Sequence, residues 1–153
     1  MNLKIITVVL IIIVLSCLAA DEKKVVSVFY KDMPPSHKVL DKVKPVLEWY
    51  KDKYTINYYL ITDPKNAEII AEFGLPETHF PFAVVIGDIF TARLHEEVIS
   101  FVHFPAFMEG IGRHEGNWSI GDLDVVLTDN SLLTEENFLP ELEEETTEGG
   151  CEE

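Results

Sequence analysis

The chain has 153 residues, 47% of them hydrophobic, with 12 basic against 27 acidic residues and a formal charge of −15. That surplus of negative charge repels phosphate backbones and anionic headgroups, which argues against nucleic acid and membrane-surface partners and favours basic or cationic ones. The length suits one hydrophobic core and is short for two.

The chain opens with one positive charge, Lys4, followed by an apolar run over residues 5–20 broken only by Thr7 and Ser16. Sixteen residues fall short of the ~20 that a spanning helix needs. A charged start, an apolar stretch and small residues at its end describe a secretory signal peptide over residues 1–20, cleaved after Ala19 or Ala20. Val14-Leu15-Ser16-Cys17 offers an alternative, a lipoprotein signal cleaved before Cys17, with the lipidated cysteine as a membrane anchor. Either way the chain is expected to be exported, periplasmic or extracellular. About 133 residues remain, with 11 basic against 27 acidic residues. Of the two cysteines, Cys17 belongs to the leader and Cys151 to the far end, so the expected domain closes no internal disulfide.

Val25-Val26-Ser27-Val28-Phe29-Tyr30 reads as a strand buried on both faces, since it lacks polar alternation. From Ser36, expected as N-cap, Val39, Leu40, Val43, Val46, Leu47 and Tyr50 keep helical spacing, with Pro45 inside the helix as a source of a kink. Residues 56–61 form the next expected strand. Asp63 as N-cap and Pro64 at the first helical position open a short helix that Gly74 ends. Residues 82–86 are the third strand, and residues 89–94 and 98–104 a hairpin around His95-Glu96-Glu97. The alternation of strand and helix implies parallel pairing of the first strands. Ser119-Ile120-Gly121-Asp122 resembles a capping box and opens a last helix to about Leu127. The domain is therefore placed at residues 24–130. Glutamate then dominates, with nine in the last twenty residues, and residues 134–153 are expected to be an acidic disordered tail.

The strand–helix junction Met33-Pro34-Pro35-Ser36 and the later His79-Phe80-Pro81, set before an apolar strand, together with this element order, resemble the thioredoxin-like superfamily. The resemblance covers residues 24 to about 127. It implies an α/β fold with a central mixed β-sheet flanked by helices on both faces. In that superfamily a reactive Cys-x-x-Cys lies at the first junction and a cis-proline precedes the later strand. Met33 and Ser36 take the cysteine positions here, and Pro81 takes that of the cis-proline. A thioether and a hydroxyl cannot exchange disulfides, because the chemistry needs a thiolate, so no disulfide oxidoreductase activity is expected. What the resemblance leaves is a redox-inactive binding module. It would hold a protein or peptide by strand addition at Met33, Pro34, Pro35, Ser36, His37, His79, Phe80 and Pro81, with no cofactor. Met33-Pro34-Pro35 also reads as a stiff turn without a partner.

A competing reading is an extracytoplasmic copper-binding protein. Met33, His37 and His79 would converge on one edge, and a thioether with imidazoles suits Cu(I). No histidine pair has helical metal spacing, and scattered surface histidines are the commoner explanation for the five. His103, His114 and Glu115 make a second loose cluster. Residues 110–118, with Gly110, Gly112, Arg113, His114, Gly116 and Trp118, read either as a recognition loop or as a connection in which Trp118 covers the core and Arg113 pairs with local acids. Asn117-Trp118-Ser119 is a glycosylation sequon in a eukaryotic secretory setting. The tail lacks the spaced oxygen ligands of a calcium site. Cys151 has no basic or helix-terminal neighbour that would make it a catalytic thiolate.

Overall fold

The computed structural model describes residues 23–76, 80–106, 108 and 115–140. Strand β1, Lys24–Tyr30, leads into helix α1, Pro34–Trp49, and then into β2, Tyr54–Leu60. A 3-10 turn, Pro64–Asn66, runs on into α2, Ala67–Glu72. Three short strands follow: β3, Phe82–Ile86, β4, Thr91–Leu94, and β5, Glu97–Ser100. Helix α3, Ile120–Thr128, and a 3-10 turn at Asn130–Leu132 complete the elements. Among the described residues no helix is long and apolar enough to cross a membrane.

The central sheet is mixed, in the order β2-β1-β3. β1 runs parallel to β2, with Val26 opposite Ile56, and antiparallel to β3, with Val28 opposite Val84. The α1 crossover makes the parallel pairing possible, as strands so joined require. β4 and β5 form a hairpin whose continuation, residues 101–104, lies antiparallel to β3. The Val84 N–H donates to the Phe101 carbonyl at 2.9 Å, and the His103 N–H to that of Phe82 at 2.9 Å.

Alternation along β1 divides the core between two faces. Val26 and Val28 pack with Val39, Leu40, Val43 and Leu47 of α1 and with Leu123, Val126 and Leu127 of α3. Phe29 points the other way, to Ala83, Val85, Phe80 and Ile70 of α2. Helices thus cover both faces, and all five residues of β3 are buried. Trp118 closes the first face. It is 1% exposed, stacks on Phe82, meets Phe101 edge-on, and donates its indole N–H to the His103 carbonyl at 3.2 Å. Its reading as a core cover is correct. Gly116, just before it, is required by close backbone approach: a Cβ there would lie 2.5 Å from the Val102 carbonyl oxygen.

Three local expectations need correction. Ser36 is not the N-cap of α1. Met33 is, in extended conformation, and Pro34 takes the first helical position, where its missing N–H costs nothing. The hairpin turn has two residues rather than three, because Glu97 pairs with Leu94. His95 and Glu96 fill it at φ 49° and 72°, the positive-φ pair of a type I′ turn, which fits the strand twist even without glycine or asparagine.

The third concerns the tail. Residues 133–138 are strapped to β4 rather than starting a solvated segment at 134. The Thr134 N–H donates to the Thr91 carbonyl at 3.1 Å, Leu133 bridges to Ala92, and the Ser100 hydroxyl donates to the Phe138 carbonyl at 2.9 Å. Asn137 accepts from the Phe90 N–H at 3.0 Å and donates to the Asp88 carbonyl at 2.9 Å. The strap satisfies backbone groups that an edge strand would otherwise expose. The domain therefore continues past residue 130. Residues 1–22, which hold the expected leader and Cys17, and 141–153, with Cys151, lie outside the described residues.

Candidate functional site

The junction between β1 and α1 is built by three donors and two carbonyls. The Met33 N–H donates to the Lys31 carbonyl at 2.9 Å, which turns the chain as β1 ends. Met33 then caps α1 without a side-chain hydrogen bond, and Pro34 and Pro35 fix φ over the first turn. The Pro81 carbonyl accepts twice, from the Lys31 N–H at 3.0 Å and from the Ser36 hydroxyl at 3.1 Å. Ser36 is fully buried, and its bond spans 45 residues of sequence. The loop and the entry to β3, expected to share an edge, are thus brought together.

The expected site residues divide by accessibility. Ser36, Phe80 and Pro81 are buried, while Met33 and Pro35 are half-buried and Pro34 and His37 exposed. Buried groups with all their bonds made hold a surface in place and do not contact a partner. Met33, Pro34, Pro35 and His37 form the reachable part. His79 lies outside the described residues. The expectation of a cis bond before Pro81 is not met: no peptide bond among the described residues is cis, so Phe80–Pro81 is trans. With this geometry the Pro81 carbonyl turns inward to Lys31 and Ser36, and Phe80 packs wholly in the second core face.

His37 has a partner that its sequence position did not suggest. Its Nε2 lies 2.8 Å from Asp32 Oδ1, and its ring meets Tyr30 edge-on with centroids 6.3 Å apart. An ionised carboxylate only accepts, so the imidazole presents N–H there. That nitrogen is committed within the loop, which leaves Nδ1 as the free coordinating atom of His37 for the copper alternative. Among the described residues no three His, Cys, Asp or Glu side chains gather into a metal-sized group. Two open clefts occur elsewhere, one beside Arg93 and Leu133, the other between Trp49 and Ile120. Neither includes residues 33–37 of the loop.

The other sequence features have structural duties. Asn117 accepts from the Ser100 N–H at 2.9 Å and donates to the Val98 carbonyl at 3.0 Å, so the sequon's amide is tied to β5. Ser119 and Asp122 form the expected capping box. Gly110, Gly112, Arg113 and His114 lie outside the described residues. No family model matches the chain, and searches of curated proteins and of solved structures found no significant match.

Proposed function

We propose that this chain is an exported, redox-inactive thioredoxin-like domain that binds an extended protein or peptide segment at the β1–α1 junction. One observation carries the reading: the Ser36–Pro81 hydrogen bond sets residues 33–37 against the entry to β3, with no thiol in the loop and with a trans proline where the superfamily has a cis one. The sheet supports it, since β1 is parallel to β2 and antiparallel to β3 around the α1 crossover. Met33 supplies a deformable apolar contact, Pro34 and Pro35 a rigid one at low entropic cost, and His37 a polar rim. The two prolines also limit how far the loop must order on binding, which favours affinity without a deep pocket. Cys17, if lipidated, would tether the module to a membrane without changing this surface.

The test is fluorescence polarisation against a panel of labelled unstructured peptides. Binding by the parent chain should weaken by roughly tenfold or more in Met33→Asp and Pro34→Asp, both at reachable positions. Peptide affinity unchanged by either variant, or no peptide bound at all, would overturn the reading.

A further inference from the structure

β2 ends the central sheet, and among the described residues its one strand partner is β1. Natural edge strands are blunted by charge, proline, a bulge or a cover. At β4 the strap of residues 133–138 provides such a cover. Among the described residues, Tyr54-Thr55-Ile56-Asn57-Tyr58-Tyr59-Leu60 has none of these devices. It contains no charge, proline or glycine in a chain with 39 charged residues, and Tyr58 is 41% exposed. The outer backbone groups of such a strand can be satisfied by another extended strand.

We propose that β2 is a self-association edge, at which two copies of this chain pair β2 to β2 antiparallel about a two-fold axis at Asn57. In that register Ile56 lies opposite the partner's Tyr58 and Thr55 opposite the partner's Tyr59, the β-branched and aromatic pairs that stabilise antiparallel ladders. The neutrality of the strand matters in a strongly acidic molecule: after Lys53 only Lys65, Arg93 and Arg113 are basic, so most other surfaces would set like charges together. The helix beside the edge adds complementarity. Lys44 lies over the Tyr58 ring with Nζ 5.5 Å from its centroid. Glu48 is one helical turn further, and its charge also reaches Tyr58, whose phenol is held above its ordinary pKa by burial first and by Glu48 second. A two-fold axis reverses the order of this pair, so each Lys44 faces the partner's Glu48 and each Glu48 the partner's Lys44. A foreign strand would need that pattern by chance, whereas a second copy carries it by symmetry. The edge shares no residue with the surface formed by Met33, Pro34, Pro35 and His37.

Sedimentation equilibrium of the full chain, over roughly a hundredfold range of concentration, tests this. A monomer–dimer equilibrium is expected. Tyr58→Lys, at an exposed site, should weaken it by roughly tenfold or more while far-UV circular dichroism stays unchanged. Lys44→Glu and Glu48→Lys should each weaken it, and the two together should restore it. A monomer throughout, or a dimer indifferent to Tyr58→Lys, would overturn the β2 edge as the interface. Failure of the double exchange to restore association would overturn the two-fold register.

Discussion

The Ser36 hydroxyl donates to the Pro81 carbonyl at 3.1 Å, joining the first turn of α1 to the residue that precedes β3. That carbonyl also holds the Lys31 N–H, so one oxygen fixes the end of β1 and the start of α1 together. Removing the hydroxyl leaves the carbonyl one donor, and the loss is that of a single buried hydrogen bond. Ser36→Ala should cost about 0.5–1.5 kcal/mol in urea unfolding, with the m-value unchanged.

The β4–β5 turn carries stored backbone strain. His95 and Glu96 are exposed and both occupy the left-handed region. Such a conformation costs an ordinary residue about 1–2 kcal/mol, which asparagine and glycine largely avoid. Replacing the pair, His95→Asn with Glu96→Gly, should raise stability by about 1–2 kcal/mol, read as a higher melting temperature.

Asn137 fastens the C-terminal strap through two atoms: its Oδ1 accepts from the Phe90 N–H, and its Nδ2 donates to the Asp88 carbonyl. Asn137→Ala should destabilise by about 1–3 kcal/mol, because it leaves partly buried backbone groups unpaired. Hydrogen exchange should locate the effect: the Phe90 amide should exchange faster, while amides of β1 keep their protection relative to the global stability.

Asp129 provides a pH-dependent contribution near the end of α3. The Ser131 hydroxyl and N–H hold its carboxyl below the usual 3.8. A depressed folded-state pKa favours the folded chain above the unfolded value, and that advantage is lost as pH falls through the folded value. The parent should therefore lose stability relative to Asp129→Asn as pH drops below about 4, and the two curves should run parallel from pH 5 to 7. The difference between the curves isolates Asp129 from the other carboxylates that titrate in the same range.

Much of this architecture was legible in the residues because local pattern and burial agree there. The unbroken apolar β1 and β3, the periodic Val39, Leu40, Val43 and Leu47, and the Ser119–Asp122 box lie where their chemistry places them. What was not legible depends on distant partners. Ser36 reads as a cap by its type, yet it sits inside the first turn because its hydroxyl is used 45 residues away. The strap hides behind glutamates, because composition does not reveal that Asn137 and Phe138 meet β4 and β5. His95 and Glu96 give no local signal of positive φ; the strand pairing imposes it. The pairing of His37 with Asp32 was likewise not legible, because it depends on how the turn at Met33 folds the chain back before α1.

The most direct measurement is an amide chemical-shift footprint of the tightest peptide on the isotopically labelled protein. The central claim is that Met33, Pro34, Pro35 and His37 form the contact surface, held by Ser36 and Pro81. The expected result is a contiguous set of shifts at Met33, Ser36, His37 and Lys38 and at the start of β3, with β4 and the strap unmoved. A footprint confined to other elements, such as β4 and the strap or the α1–α3 cleft, with Met33 and His37 unshifted, would contradict the claim.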